Sequence, residues 1–473
     1  MTSTALQKSL HIGIVGLGTA GLASSIFLSR LGHKIDIFEK SSKNQLTEVV
    51  GAGIGVQPIG LTVLKRLDVL DNVLKHGSRI NHLHALTREG KTVLDLHYAD
   101  FHPSLHGVGL HRDALFQSLY DKIKTDTNIT VIPNMNVVNV EENTQTCRNN
   151  SKNSYIVRRH HETNCSLKEG PYDMVIVADG RDSIRSNMLH VKSYESKYKY
   201  GCLWSILPDT KNEFTKNDGN EGATLFQRLD SAKTMLGLLP TGRTPDMSTS
   251  DAKLVSLFWS LPMNHVAQLQ KEGLNKWKET VISLEPRTQD LLEHITSFDQ
   301  LIPAEYSDTF MPKLYDEVTR TAFIGDCAHA TSPQLGQGAN LALVDAYVLA
   351  NAIDQHNGNV LPALFQYDSE RKWRLRFYQL NSRLLTPVFQ SDSKVIGALR
   401  DLTMGAMCRF PLTKLQMLTV LCGAQNNGIP WTTIPKDEFM GFTYDDAKME
   451  RMERMGKTLK LTRQVQNYED GVM

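Results

Sequence analysis

The segment that most constrains the fold is residues 11–39. An apolar run, His11-Ile12-Gly13-Ile14-Val15, leads into Gly16-Leu17-Gly18-Thr19-Ala20-Gly21 and an apolar stretch through Leu31, and a second run, Lys34 to Glu39, closes the unit. Strand, glycine turn, helix and strand in this order form a βαβ unit, which calls for a parallel sheet with a right-handed crossover. Three spaced glycines alone are a weak signal. Here they follow a strand and open a helix, and an acidic residue ends the second strand 18 residues after the third glycine. That context makes the unit a dinucleotide site. Gly16 permits the tight turn, Gly18 lets the backbone approach a pyrophosphate, Gly21 allows helix and strand to pack closely, and the helix N-terminus favours negative charge. Glu39 can accept hydrogen bonds from a ribose. A glycine turn without a ligand is the bland alternative, and the unit by itself suits NAD as well as FAD.

Downstream, a glycine-rich loop is expected over Gly51 to Gly55, then a helix from about Pro58 to Leu67 with Ile59, Val63, Leu64 and Leu67 at helical spacing. Residues 128–165 alternate and are polar, as hairpin strands would be, with a long turn at Asn149, Asn150, Ser151 and Asn153. Tyr172 to Ala178 reads as a buried strand ending at Asp179-Gly180. From 186 to 315 short strands such as Leu203–Leu207, Thr234–Leu239 and Leu254–Trp259 alternate with polar loops, which suggests an inserted sheet. The chain returns to the first domain at Thr321-Ala322-Phe323-Ile324, and after Gln334 it reads as helical to the end.

Two later segments carry the decision between dinucleotides. One is Val177-Ala178-Asp179-Gly180, followed by Ser183 and Arg185. The other is Phe323-Ile324-Gly325-Asp326-Cys327-Ala328-His329-Ala330, leading into Ser332-Pro333-Gln334-Leu335-Gly336-Gln337-Gly338-Ala339-Asn340. The second segment has its own physical reading. A strand ending in Gly325-Asp326 presents a carboxylate to sugar-alcohol hydroxyls, and glycines at 336 and 338 let backbone amides approach a flat ring. The helix from about Ala339 to Ala352 points its positive end at that ring and stabilises negative charge there.

With these motifs in this order, residues 11–385 resemble the class A FAD-dependent monooxygenases, the family with the para-hydroxybenzoate hydroxylase fold. The resemblance implies an α/β protein: a Rossmann-like FAD-binding domain with a parallel sheet, an inserted and mostly antiparallel substrate-binding sheet, and a helical C-terminal region. The corresponding divisions are 1–185 and 316–385 for FAD, 186–315 for substrate, and 386–473 as a helical extension. It also implies roles: Glu39 on the adenosine ribose, Arg112 near the pyrophosphate, Gly51, Ala52 and Gly53 against the cofactor, and Asp179-Gly180 supporting FAD and a passing nicotinamide cofactor. Asp326 holds the ribityl chain beside Gly325, and Pro333 stands by the reactive carbon with Gly336, Gly338 and Ala339 around the ring. In the family NADH or NADPH reduces the flavin, dioxygen adds at C4a, and the hydroperoxide transfers oxygen to an electron-rich ring. The chain departs from the family after Gly51, where a Pro-Asn pair is usual and Pro58-Ile59 stands instead.

The expected reaction is hydroxylation of an aromatic, heteroaromatic or quinone-like molecule. Trp204, Phe226 and Phe258, on strands of the inserted sheet, are candidates for an apolar substrate pocket, with plain core packing as the alternative. No second glycine-rich βαβ unit appears, which fits transient docking of NAD(P)H. Other readings are a flavin halogenase, though Trp204-Ser205-Ile206-Leu207-Pro208 lacks that group's second Trp, a flavin-dependent isoprenoid reductase, and a non-catalytic flavin-binding regulator. His329 reads as a packing residue more readily than an acid or base. His82, His84, His102, His106 and His111 have no metal-ligand spacing, so no metal is expected.

The balance of 52 basic against 51 acidic residues argues against a nucleic-acid partner. No CxxC pair occurs among six cysteines, and no apolar run is long enough to span a bilayer. The expectation is a cytoplasmic protein with reduced thiols. Leu412 to Leu421 is an apolar segment, and Lys448, Arg451, Arg454, Lys457, Lys460 and Arg463 recur every third residue between Met449, Met452 and Met455. Such a basic amphipathic helix suits either peripheral membrane contact or packing on the core.

Overall fold

The computed structural model describes residues 8–42, 51–143, 153–159, 166–216 and 222–425. Its first unit is β1 (His11–Val15), α1 (Thr19–Arg30) and β2 (Lys34–Phe38), with Ile12 opposite Ile35 in parallel register. Ten of the twelve α1 residues are buried, because the helix packs on both the sheet and a later helix.

Residues 51–55 depart from the expected loop. Gly53–Val56 is a strand, β3, paired antiparallel with Gly107–His111. Gly53 lies so close to the neighbouring strands that a Cβ would stand 2.6 Å from both Ser256 Cβ and Thr241 Cγ2. Extended backbone without a side chain fits that gap. The chain continues through α2 (Pro58–Arg66), α3 (Leu70–His76), β4 (Ser78–Thr87), β5 (Thr92–His97), β6 (Gly107–His111) and α4 (Arg112–Ile123).

The polar stretch after residue 128 divides in two. β7 (Ile129–Ile132) joins the parallel sheet beside β2 rather than forming a hairpin, since its apolar residues are needed there. β8 (Val137–Glu142) and β9 (Ser154–Arg159) pair antiparallel, and β10 (Ser166–Tyr172) adds a third strand. Asn149, Asn150 and Ser151 lie outside the described residues. β11 (Met174–Val177), wholly buried, then returns to lie against β1. Strands covered on both faces carry such continuous apolar runs.

β12 (Tyr194–Pro208), β13 (Ala223–Asp230), β14 (Thr234–Gly242) and β15 (Leu254–Pro262) follow, then α5 (Val266–Glu272), α6 (Leu274–Leu284), α7 (Gln289–Glu293) and β16 (Ile302–Phe310). The large sheet is not confined to this insertion. It has nine strands and includes β3, β4, β5 and β6 from the N-terminal part, with β13 parallel to β4. β17 (Tyr315–Asp316) and β18 (Thr321–Phe323) complete the six-stranded sheet in the order β17-β18-β11-β1-β2-β7. The rest of the described chain is mainly helical: α8 (Asp326–His329), α9 (Gly338–Gln355), α10 (Val360–Phe389), α11 (Lys394–Arg409) and α12 (Pro411–Cys422). Among the described residues no helix is long and apolar enough to cross a membrane. The basic repeat at 448–463 lies outside them.

Candidate active site

The nucleotide half of the site is built where β1 meets α1. A Cβ on Gly16 would stand 2.5 Å from the Ala178 carbonyl oxygen, and one on Gly21 would stand 2.1 Å from the Gly16 oxygen. Around Gly18 there is no atom within 4 Å of such a carbon. The turn is therefore enclosed on its flanks and open where a pyrophosphate would approach. Glu39, at the end of β2, accepts from the Leu17 amide at 2.9 Å and the Ser41 amide at 2.8 Å. A carboxylate has about four acceptor positions, so capacity for ribose hydroxyls remains. Arg112 begins α4 and runs across Gly51, where a Cβ would lie 2.7 Å from its Cδ. Its guanidinium is exposed and has no carboxylate partner among the described residues.

At the end of β11, Asp179 accepts from the Ile184 amide at 2.8 Å. Burial raises its pKa above the ordinary carboxylate value, against the hydrogen bonds from Ser183 and the backbone. Gly180 next to it has φ +80° and open space where a side chain would stand.

The candidate ring half lies at the same carboxyl edge of the parallel sheet, where β18 ends two strands away from β1. Asp326 is exposed amid buried neighbours, and its carboxylate has no hydrogen-bond partner among the described residues. Pro333 starts a short turn that ends at Gly336 with φ +59°, and Pro333, Gly336 and Gly338 are all exposed ahead of α9, with Ala339 half-buried. An open carboxylate and an open helix N-terminus suit a ribityl chain and a flavin ring, as the enclosed turn at Gly18 suits a pyrophosphate. The residues present thus fit FAD at both ends.

Positioning residues that sequence reasoning left unassigned surround this loop. Asn340 accepts from the Gln57 amide at 2.8 Å and donates to the Gly55 and Gly336 carbonyls, which ties β3 to the start of α9. Asp345 is fully buried. It lies 2.5 Å from His329 Nε2, accepts from Arg371 Nε at 2.7 Å, and accepts from the Gly325 amide at 2.9 Å. Burial acts to raise its pKa, but His329 and Arg371 outweigh burial and hold it below the ordinary value. The available signal was a single acid inside the apolar helix Leu341 to Ile353, which needs a charged partner.

The large sheet divides the three aromatic candidates. Trp204 is opposite Phe258, and Phe258 is opposite Gly237, so these side chains share one face. That face is turned to the ring loop: Gln390, just past α10, donates to Ser260, while Thr386 and Ser382 of α10 hydrogen-bond Ser332. Phe226 has the other parity. It sits opposite Leu238, in a core with Trp259 and Trp277 of α6, and the Arg287 guanidinium lies 4.6 Å from its ring centroid. Strand alternation therefore removes Phe226 from the surface shared by Trp204 and Phe258.

Comparison with known proteins identifies the family and the fold. The FAD binding domain family matches residues 9–376. Kynurenine 3-monooxygenase of Salinispora arenicola is 26% identical over 400 residues, 77% of each chain. The 3-amino-4-hydroxybenzoate 2-monooxygenase of Streptomyces cremeus is 23% identical, covering 81% of this chain and 89% of the relative. An FAD-dependent monooxygenase of Arthrinium sp is 28% identical but is covered over only 45% of its length. Among solved structures, 2-methyl-3-hydroxypyridine-5-carboxylic acid oxygenase superposes with TM-score 0.66 at 20% identity, covering 87% of this chain and 96% of that one. PqsL of Pseudomonas aeruginosa in complex with 2-aminobenzoylacetate gives 0.67 at 17%, covering 83% and 100%. The chain belongs to the FAD-binding family, as a class A FAD-dependent monooxygenase with the para-hydroxybenzoate hydroxylase fold.

Proposed function

We propose that the protein uses NADH or NADPH and dioxygen to place one oxygen atom on an aromatic, heteroaromatic or quinone-like small molecule. The observation that carries this reading is the open ring loop, Pro333 to Ala339, tied by Ser332, Thr386 and Gln390 to the sheet face bearing Trp204 and Phe258. When bound, FAD accepts a hydride from the nicotinamide nucleotide and activates dioxygen.

The protein's own groups orient and enclose. Glu39 and Arg112 hold the ribose and pyrophosphate, and Asp326 accepts from the ribityl hydroxyls. Backbone amides at Gly336, Gly338 and the start of α9 stabilise negative charge at the ring edge. Pro333 fixes the backbone beside the reactive carbon. Gly180 leaves open space for the transient nicotinamide nucleotide. Trp204 and Phe258, both half-buried, supply apolar surface that excludes water from the ring and accepts a flat substrate.

A panel of aromatic and quinone-like compounds, scored by oxygen uptake and product mass, tests the proposal. A gain of one oxygen atom with NAD(P)H consumption is expected. Loss of two hydrogens without oxygen gain would reassign the protein as a dehydrogenase, and a panel without any stimulated NAD(P)H oxidation would remove the hydroxylase reading.

The reading extends to a cytoplasmic protein that meets a lipid surface peripherally. Support comes from exposed Val395, Leu399 and Leu402 on α11 and exposed Leu412 and Leu415 on α12.

A further inference from the structure

We propose that His82, Asp95 and His97 form a site for one divalent transition-metal ion of the zinc class, on the face of the large sheet turned away from the ring loop. The strands β4 and β5 pair antiparallel, with His82 directly opposite His97 and His84 opposite Asp95. Alternation sends Leu83, Ala85, Leu94 and Leu96 into the main core and leaves His82, His84, Asp95 and His97 on one side. Backbone register, rather than flexible loops, brings the four together.

The donor atoms are already near a binding arrangement. His82 Nε2 is 2.8 Å from Asp95 Oδ1, His97 Nε2 is 3.5 Å from the same oxygen, and one donor atom from each residue lies within 4.8 Å of the others. In a tetrahedral site with bonds of about 2.0–2.1 Å, ligand atoms stand roughly 3.3 Å apart. Closing the set asks only for small side-chain rotations. Asp95 and His97 are about half exposed, so they have room to turn and a fourth position stays open to water. Two imidazoles and one carboxylate are a borderline donor set that favours zinc, nickel or copper over magnesium.

A simple hydrogen-bonded surface pair would account for His82 on Asp95. It does not account for a second imidazole aimed at the same oxygen, with the two rings stacked at 3.9 Å and 5°. The location suggests what an ion would do. Among the described strands β5 pairs only with β4, and its other face seats α11: a Cβ on Gly405 would stand 2.4 Å from the Thr92 oxygen, and Cys408 Sγ lies 3.8 Å from the Val93 oxygen. An ion joining β4 to β5 steadies the seat of the C-terminal helices.

The test is calorimetric titration of the untagged, FAD-loaded full chain with zinc chloride after chelator treatment, with magnesium chloride as control. We expect one zinc ion per chain with a dissociation constant of about 10 µM or tighter, and His82→Ala and His97→Ala each to weaken it at least about ten-fold. His102→Ala, outside the cluster, keeps wild-type affinity. The melting temperature rises with zinc in the wild type and stays fixed in His97→Ala. Unchanged flavin content in the variants confirms that they fold. The proposal is overturned by the absence of saturable zinc binding up to roughly 100 µM, or by undiminished binding in the His82→Ala/His97→Ala double variant.

Discussion

Gly16 and Gly18 stand two residues apart in the same turn, and the same added carbon has opposite consequences at each. At Gly16, φ is +102° and a Cβ meets the Ala178 carbonyl at 2.5 Å. Gly16→Ala is therefore expected to lower stability by about 1–3 kcal/mol or more, read as a fall in the melting temperature of the apoprotein. At Gly18 the space is empty, so Gly18→Val keeps the apoprotein melting temperature and fills the place of the pyrophosphate. Its FAD affinity should drop at least about ten-fold in a fluorescence titration. Asp345 shows the limit of reading residues singly. Its role depends on His329 and Arg371, 16 and 26 positions away, which no local pattern pairs with it. Asp345→Asn leaves Arg371 buried without its counter-charge, at a cost of roughly 3–5 kcal/mol. The Asp345 pKa is held below its ordinary value in the folded protein, so its stabilisation is complete above the unfolded value of about 3.9 and is lost as pH falls through the folded one. Urea unfolding across this range should show a steeper acid loss in wild type than in Asp345→Asn.

Elements were legible in proportion to how local their causes are. The βαβ unit and α2 follow from periodicity and glycine placement within a few residues. Strand β3 was hidden because four residues containing two glycines carry no strand pattern, and its extended backbone is set by Ser256 and Thr241, some two hundred positions away. The junction of α12 with the ring loop was equally hidden. Gln337 donates to the Val420 and Leu421 carbonyls at 3.1 and 2.7 Å, and Arg374 donates to the Gly423 carbonyl. Ile59, standing where the family usually has Asn, packs against Gly423. This contact makes a quantitative prediction. A Cβ at Gly423 would stand 2.3 Å from Ile59 Cγ2 at φ +78°, so Gly423→Ala should cost about 1–3 kcal/mol. Ile59→Ala alone should cost about 2–5 kcal/mol through the cavity it leaves. Together they should cost clearly less than their sum, because the smaller side chain makes room for the added methyl. Urea denaturation of the four proteins measures the coupling, and strict additivity would show that the two residues do not press on one another.

At the scale of the molecule, the proposed reading gives the nucleotide to the parallel sheet and the ring to the face of the large sheet, with α10 and α12 hydrogen-bonded to the loop between them. Those helices also leave an apolar surface that packing within the chain does not account for. On α11, Val395 is 78% and Leu402 68% exposed, with Leu399 between them at four- and three-residue spacing, the geometry of one helix face. Phe410 and Leu412 continue the exposure into α12. Soluble monomers rarely present such a run of large apolar side chains without a use for it. Lys394 and Arg409 are exposed at the two ends of α11, the one acid of α11, Asp401, is held by Arg400 at 2.7 Å, and the exposed Asp392 just ahead of the helix is paired with Lys199 and Lys233. Apolar side chains flanked by cations match a bilayer with anionic headgroups, where burial supplies most of the affinity and charge the remainder. The protein should therefore float with vesicles containing phosphatidylserine, less with neutral vesicles, and less again at high salt. Leu399→Glu/Leu402→Glu should abolish flotation while leaving flavin content unchanged, since both side chains point away from the core. A wild-type protein that stays in solution beside anionic vesicles at low salt, or a double variant that floats as well as wild type, would refute lipid contact through α11.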